Sequence, residues 1–473
     1  MLFNSIEFLG FFVIVTFVFY ALPHKYRWFH LLAASCYFYM AFVPVYILIL
    51  FGTIIIDYIA GRVIENAEGS KRKLFLIISL AANIGILAFF KYYNFFVDNI
   101  TIGLHALHAD VKLPFLKMLL PIGLSFHTFQ AMSYTIEIYR GNTKAEKHFG
   151  IYALYIMFYP QLVAGPIERP QQMLFQLHER QTFDQNNLFI GIKMMLWGFF
   201  KKVVIADRLG VLVNHVYASP ASFNSTMLLV AVVFFSLQLY CDFSGYSTIA
   251  RGAGRTMGYE LIENFRTPFN SVTISEFWTR WHISLSSWFK DYVFFPIASA
   301  KRYWGLWGTI YAVLITYILS GLWHGAGWGY ILWGALTGFL IVCEIALNIK
   351  QSKIRKSRIK KIIGILYVFI AFSLIGIFFR AHSIPDAVLI YKRLFSSNWG
   401  GLQDEQIFSK FSYLLSFLFI GVLFYAENRF INKVIQYKIE ENYKRNITYG
   451  VVVLSLILVF GVFQNLSFIY FQF

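Results

Sequence analysis

A histidine at position 324 lies in the segment GLWHGAGWG, between two runs without a charged residue, Tyr303 to Trp323 and Gly325 to Cys343. At about 1.5 Å per helical residue, each run can cross a hydrocarbon layer of about 30 Å. Histidine is the side chain most readily poised to move a proton near neutral pH, and an ionisable group at membrane depth is costly, so His324 is a candidate general base. Gly321, Gly325, Gly327 and Gly329 clear side chains from its surroundings, and Trp323 and Trp328 could supply flat walls. The structural alternative is a packed histidine bonded to a backbone carbonyl. A second histidine, His282, sits in SEFWTRWHISLSSWFKDYVFFP, Ser275 to Pro296. Helical spacing puts Phe277, Trp281, Leu285, Trp288, Tyr292 and Phe295 on one stripe, with Glu276, Arg280, Ser287 and Asp291 opposite. The pattern predicts one amphipathic or re-entrant helix near the cytoplasmic face, with His282 beside Trp278 and Phe289 and one turn before Ser286. Here the alternative is an interfacial histidine bonded to a neighbour.

Other segments offer weaker chemistry. In QLYCDFSGYSTIARGAGRTMGYE, Gln238 to Glu260, the glycine spacing does not fit a dinucleotide loop and no strand precedes it, while Ser244 is not in GxSxG. Asp242, near the end of an apolar run, needs a partner, and Arg251 or Arg255 is expected to supply a structural ion pair. Prolines at 160, 166 and 170 prevent a continuous helix through FYPQLVAGPIERPQQM and predict a shaped re-entrant turn in which Glu168 and Arg169 could pair. No Cys/His cluster has metal-ligand spacing, so no metal site is expected. His24, His105, His108 and His178 fall in polar connections, where a solvated role is expected.

The elements that must position these groups follow from composition. Of 473 residues, 58% are hydrophobic and 14% charged, against about 25% charged in soluble domains, so the lipid bilayer is the medium. Uncharged stretches such as Phe8 to Pro23, Leu74 to Phe90, Ser225 to Cys241, Ile362 to Phe379, Phe411 to Ala426 and Ile447 to Phe473 predict an all-α polytopic protein. Roughly 11 to 13 membrane segments are expected, with re-entrant or amphipathic helices between some of them. The first stretch follows Glu7 without a basic flank and is expected to be a retained helix. Cys36, Cys241 and Cys343 lie in or beside apolar sequence and are expected to be reduced.

Net charge is +17, with a dense run of Lys350, Lys353, Arg355, Lys356, Arg358, Lys360 and Lys361. Between membrane segments this marks a cytoplasmic loop rather than a nucleic-acid site. The preceding hairpin then starts near Lys301 and Arg302 inside, with His324 at or below its outer end. No linker or internal repeat divides the chain, so residues 1–473 are expected to form a single membrane domain.

Several segments together resemble the membrane-bound O-acyltransferase superfamily, and within it the bacterial subfamily of the alginate O-acetyltransferase membrane subunit. They are LPIGLSFHTFQAMSYTIEIYRG, FYPQLVAGPIERP, LQLYCDFSGYSTIARG, ENFRTPFNSVTISEFWTRWHISLSSWFKDYVFFPI, SGLWHGAGWGYILWGALTG, FFRAHS and FIYFQF, with the signature core at about 120–345. The resemblance implies a multi-helix fold around a central tunnel open to both membrane faces. It matches His324 to the family's catalytic histidine and His282 to its second conserved polar position. It implies acyl transfer from a cytoplasmic thioester, acetyl-CoA, to a hydroxyl, with no bound cofactor. His324 would be the base and His282 would orient the thioester carbonyl or stabilise developing charge. Arg266, Arg280, Trp281, Ser286, Lys290, Asp242 and Trp323 complete the candidate substrate- and donor-binding set. The implied setting is the bacterial cytoplasmic membrane, with an exported SGNH-type partner and an extracytoplasmic polysaccharide as final acceptor. Two alternatives remain: D-alanyl transfer to teichoic acid from a carrier-protein thioester, and a polysaccharide or lipid transporter without chemistry.

Overall fold

A computed structural model describes residues 1–109, 111, 113–116, 120–404, 406–428, 443–463 and 468–469. The last four residues of the C-terminal FIYFQF motif lie outside them. Among the described residues every regular element is helical, with an isolated antiparallel bridge between Phe265 and Trp281. Six helices are long and apolar enough to cross a membrane: Pro44–Asn66, Gly69–Ala106, Ser225–Thr256, Leu306–His324, Trp328–Ala346 and Arg358–Arg380. Shorter apolar helices are Ile6–Ala21, Lys410–Ala426 and Asn446–Phe460. Side chains are sorted as a bilayer requires. Ile55, Ile59, Ile77 and Ile84 are exposed while Asp57, Ser79 and Asn83 on the same helices are buried. The protein is an all-α, multi-pass membrane protein.

The chain forms two compact units. The first comprises Met1–Ile192 with Ala250–Ile262. Its helices Ile47–Asn66, Gly69–Ala106 and Leu124–Arg140 are joined by polar bonds, because hydrocarbon offers a buried carboxylate no other partners. Asp57 accepts from Ser79 at 2.6 Å and from Asn83 at 3.0 and 2.9 Å, and Ser79 also reaches Thr135 at 2.9 Å. The proline-containing segment breaks as its residue types require, into helices Phe149–Met157, Tyr159–Leu162 and Pro170–His178. Glu168 between them is fully buried and its Oε1 accepts the Ile262 N–H at 2.7 Å; burial pushes this carboxyl up to about 8.

The second unit comprises Lys193–Ile249 with Glu263–Phe473. At its centre Lys202, on the π-helical segment Phe200–Ala206, lies 2.7 Å from both Asp207 Oδ1 and Asp242 Oδ1. The Ile469 N–H donates to Asp242 Oδ2 at 2.7 Å, fastening the C-terminal segment to the same carboxylate. This corrects the expected partner of Asp242, which was Arg251 or Arg255. An arginine nine or more residues further along a helix is displaced by about 13 Å at about 1.5 Å per residue, beyond the reach of its side chain. Arg251 instead donates to the Leu261 carbonyl, and Arg255 pairs with Glu260.

Candidate active site

Both candidate histidines lie in the second unit. His324 is the last residue of Leu306–His324, and the chain turns through Gly325–Gly327 into Trp328–Ala346. The hairpin closes on a pair of glycines. A Cβ on Gly321 would lie 2.2 Å from the Tyr330 carbonyl oxygen, and one on Gly334 would lie 2.2 Å from that of Tyr317. The neighbouring atoms are backbone and cannot swing aside, so only glycine permits this approach. We expect Gly321→Ala to part the helices by roughly 1 Å and lower turnover about 10²-fold, since misplacement of that size costs about that much. The check is turnover alongside detergent elution, with Gly421→Ala as control, because no atom lies within 4 Å of a Cβ there. Unchanged turnover in Gly321→Ala would show that the hairpin does not set the histidine's position.

His282 does not sit on one continuous helix, contrary to the amphipathic pattern. Helix Ile274–Trp278 ends, and Ile283–Phe289 begins after a turn in which His282 takes a left-handed backbone conformation, φ 43°. The cause is a residue far away in sequence. Asn264 accepts the Ile283 N–H through its backbone oxygen at 2.9 Å and the Ser284 N–H through Oδ1 at 3.1 Å, taking donors that a continuous helix would use. Arg266 N–H to Arg280 O at 2.9 Å closes the other side of the turn. A non-glycine residue held at positive φ is strained, and such strain persists only where its surroundings enforce it.

The expected polar face is also revised. Glu276 is buried, 2.9 Å from Arg280 Nε and 2.5 Å from Arg355 Nη2, and it accepts the Val272 N–H at 3.0 Å. A side chain from the basic 350–361 run thereby satisfies a carboxylate that periodicity alone had turned outward. Glu344 caps the start of Ile274–Trp278, taking the N–H groups of Ile274 and Ser275 at 2.5 and 2.9 Å. On the apolar stripe Phe277, Trp281, Leu285 and Trp288 are buried, but Phe295 is exposed.

The two imidazoles meet around one indole. The Trp323 ring centre is 6.3 Å from His282 and 4.9 Å from His324. His324 also faces Trp333 at 5.1 Å and Phe379 at 5.3 Å, and His282 packs edge-on to Phe243 at 4.6 Å. His282 is 0% and His324 5% exposed, so each is buried among aromatic rings. Burial pushes the His282 imidazole down to about 3, which keeps it neutral at physiological pH. Of the two expected tryptophan walls, Trp323 is in place, whereas Trp328 is 55% exposed. As the first residue of its helix Trp328 points away, and Trp333, just over one turn later, takes its role.

The segments that carry the histidines also line a cavity of about 360 Å³, within the size of ligand pockets, although neither imidazole is part of its wall. Its lining includes Trp278, Ser286, Lys290, Tyr317 and Ser320, with Ile283 directly after His282 in the chain. Ser320 stands one turn before His324, and Trp278 touches Trp333, which in turn touches His324. Of the candidate donor-binding residues, the cavity brings together Ser286 and Lys290. Ser286 donates to the Trp281 carbonyl at 3.1 Å, and Lys290 Nζ is 5.4 Å from the Phe295 ring. Trp281 is packed between Phe277, Tyr240 and Phe372. Arg266 is exposed and pairs with Glu263 at 2.8 Å, Arg280 pairs with Glu276, and Asp242 belongs to the Lys202 cluster. Asn264, Trp333 and Phe379 were not singled out from sequence. Asn264 carries no local signal, while Trp333 could have been found by counting turns from the glycine-rich connection.

Residues 146–383 match the model of the membrane-bound O-acyltransferase family. A probable alginate O-acetylase of Pseudomonas putida is 35% identical over 403 residues, 84% of this chain and 80% of the relative. A peptidoglycan O-acetyltransferase of Helicobacter pylori is 31% identical over 424 residues, covering 84% and 78%. A teichoic acid D-alanyltransferase of Bacillus subtilis is 31% identical over 233 residues, covering 47% and 58%. With family match and relatives spanning the buried histidine pair, the chain belongs to the membrane-bound O-acyltransferase family, in its alginate O-acetylase-like branch, and is a membrane O-acyltransferase.

Proposed function

We propose that this acyltransferase moves an acetyl group from cytoplasmic acetyl-CoA across the membrane, towards O-acetylation of an extracytoplasmic polysaccharide through an exported SGNH-type partner. The observation that carries the reading is the buried pair His282 and His324, both packed against Trp323, on segments that also line a cavity with a cation at Lys290. The acceptor hydroxyl attacks the thioester carbonyl while His324 takes its proton. The tetrahedral intermediate places negative charge on the former carbonyl oxygen, which the neutral His282 ring stabilises by donating an N–H. Collapse breaks the C–S bond, and the thiolate leaves with the proton that His324 returns. The cavity holds the thioester end of the donor, and Lys290 faces its anionic portion.

Orientation supports a cytoplasmic donor. The Glu276 segment is bonded to Arg355 of the basic 350–361 run, which the positive-inside rule assigns to the cytoplasm, in a bacterial inner membrane. Among relatives, the O-acetylases align with 84% of this chain and the Bacillus subtilis D-alanyltransferase with 47%, which favours acetyl over D-alanyl. Family membership sets the transporter alternative aside.

The experiment supplies labelled acetyl-CoA to inside-out membrane vesicles and, in parallel, a D-alanyl carrier-protein thioester. Label should pass to lumenal acceptor from acetyl-CoA alone. Lys290→Gln should raise KM for acetyl-CoA about tenfold with kcat little changed, as loss of one ground-state charge contact would. Transfer from the carrier thioester instead would replace acetyl with D-alanyl in this reading.

A further inference from the structure

In the first unit a second cavity, of about 190 Å³, is lined by His24, Lys25, Arg27, Trp28, His148 and His178, with apolar side chains behind them. Its volume falls below the ~300 Å³ of whole small-molecule pockets and suits a charged headgroup. Two helices begin at its wall, His24–Met40 and Phe149–Met157, and neither carries an acidic residue in its first turn. The positive end of a helix dipole favours anionic side chains, yet the first turn of the longer helix holds Lys25 and Arg27 and no side chain caps it.

Side chains of the lining are held in place by their own bonds. His148 caps the shorter helix with Nδ1 accepting the Ile151 N–H at 3.2 Å, which puts a proton on Nε2. Arg27 is anchored by Nε on the Leu22 carbonyl at 3.0 Å and Nη1 on the Gln181 carbonyl at 2.5 Å. The neighbouring carboxylate, Glu146, is engaged through one oxygen by His178 Nε2 at 2.7 Å and through the other by the His148 N–H at 2.8 Å. Lys25, Arg27, the His148 Nε2–H and the uncapped N-terminus of His24–Met40 on one small cavity bring together the charge and donors that a phosphate needs.

We propose that this cavity binds the phosphate of an anionic membrane phospholipid. Its surroundings favour lipid over a soluble phosphate. Tyr26, Phe29 and Phe149, next to the lining residues in sequence, expose large rings that can meet acyl chains. The same end of the unit carries Arg62, Lys71, Lys73 and Arg140 near helix ends and Lys144 and Lys147 in a connection, tied together by Tyr58 to the Lys147 carbonyl at 2.6 Å and Arg72 to the Tyr139 carbonyl at 2.7 Å. Such clustered basic residues at helix ends mark the cytoplasmic leaflet side, where anionic headgroups attract Lys and Arg.

Native mass spectrometry of the full chain from detergent, offered phosphatidylglycerol or phosphatidylcholine, tests the proposal. Phosphatidylglycerol should be retained at least tenfold over phosphatidylcholine, and His24→Gln/Lys25→Gln should cut that preference at least fivefold. Lys71→Gln/Lys73→Gln removes two exposed cations at the same end and should leave the preference unchanged. An equal loss in both variants means diffuse surface attraction and overturns the site. Full displacement of the lipid by millimolar sn-glycerol 3-phosphate overturns the lipid source in favour of a soluble phosphate ester. Acetyl transfer is not the readout, so failure here leaves the proposed reaction untouched.

Discussion

His324→Ala should lower acetyl transfer by about 10² to 10⁴-fold, the range that a positioned general base contributes, while protein level and detergent elution stay at wild-type values. His324 ends the Leu306–His324 helix, so a proton arriving on its ring meets the carbonyl end of the helix dipole. Trp323, Trp333 and Phe379 enclose that ring, and water excluded from the site cannot substitute for the base. His324→Gln should fall as far as the alanine variant, because an amide keeps the shape but cannot take a proton. His282→Ala should act differently, since a neutral ring stabilises charge rather than accepting a proton. A loss of about 10² to 10³ in kcat is expected there, the effect of removing one oxyanion donor. Substantial transfer by His324→Ala would sink the catalytic assignment. Loss accompanied by aggregated elution would identify a packing histidine instead.

Lys202→Met should prevent accumulation of folded protein. The substitution leaves Asp207 and Asp242, each 2% exposed, without the ammonium that lies 2.7 Å from both. Breaking a buried ion cluster from one side costs about 3–5 kcal/mol, a large share of the ~5–15 kcal/mol that holds a folded protein together. The triple variant Lys202→Met/Asp207→Asn/Asp242→Asn removes the charges together and should recover much of the monodisperse elution peak. Size-exclusion chromatography of both variants from matched membranes distinguishes the outcomes. Wild-type elution of Lys202→Met alone would show that the carboxylates do not depend on the lysine. The cluster also accounts for Asp242 as a fastening point, since it holds the Ile469 N–H and thereby Phe468, whose ring stacks on Tyr246 at 4.6 Å.

Much of the candidate site is legible in the sequence. His324 stands out because charge is absent for a membrane length on both sides, and His282 because it lies at the edge of an aromatic stripe. Both readings use one-dimensional information, a hydrophobic pattern and an ionisable residue placed within or beside it. The glycines around His324 were visible as a cluster, but Gly334, thirteen residues beyond Gly321, was not, because its need for glycine arises only where the returning helix crosses. The break at His282 was hidden for a similar reason. Periodicity from 277 to 295 describes one helix, and Asn264 overrides it by taking two backbone donors.

The sequence by itself determined the medium, the helical class and the family, and it singled out the two histidines as candidates, since hydropathy, charge placement and motif order are properties of the chain read in line. Tertiary structure decided which groups became partners: Lys202 for Asp242, Arg355 for Glu276, Trp333 and Phe379 as walls for His324. Buried charges and strained turns are stabilised by whatever lies within a few ångströms, and residues that close are often many helical turns apart along the chain.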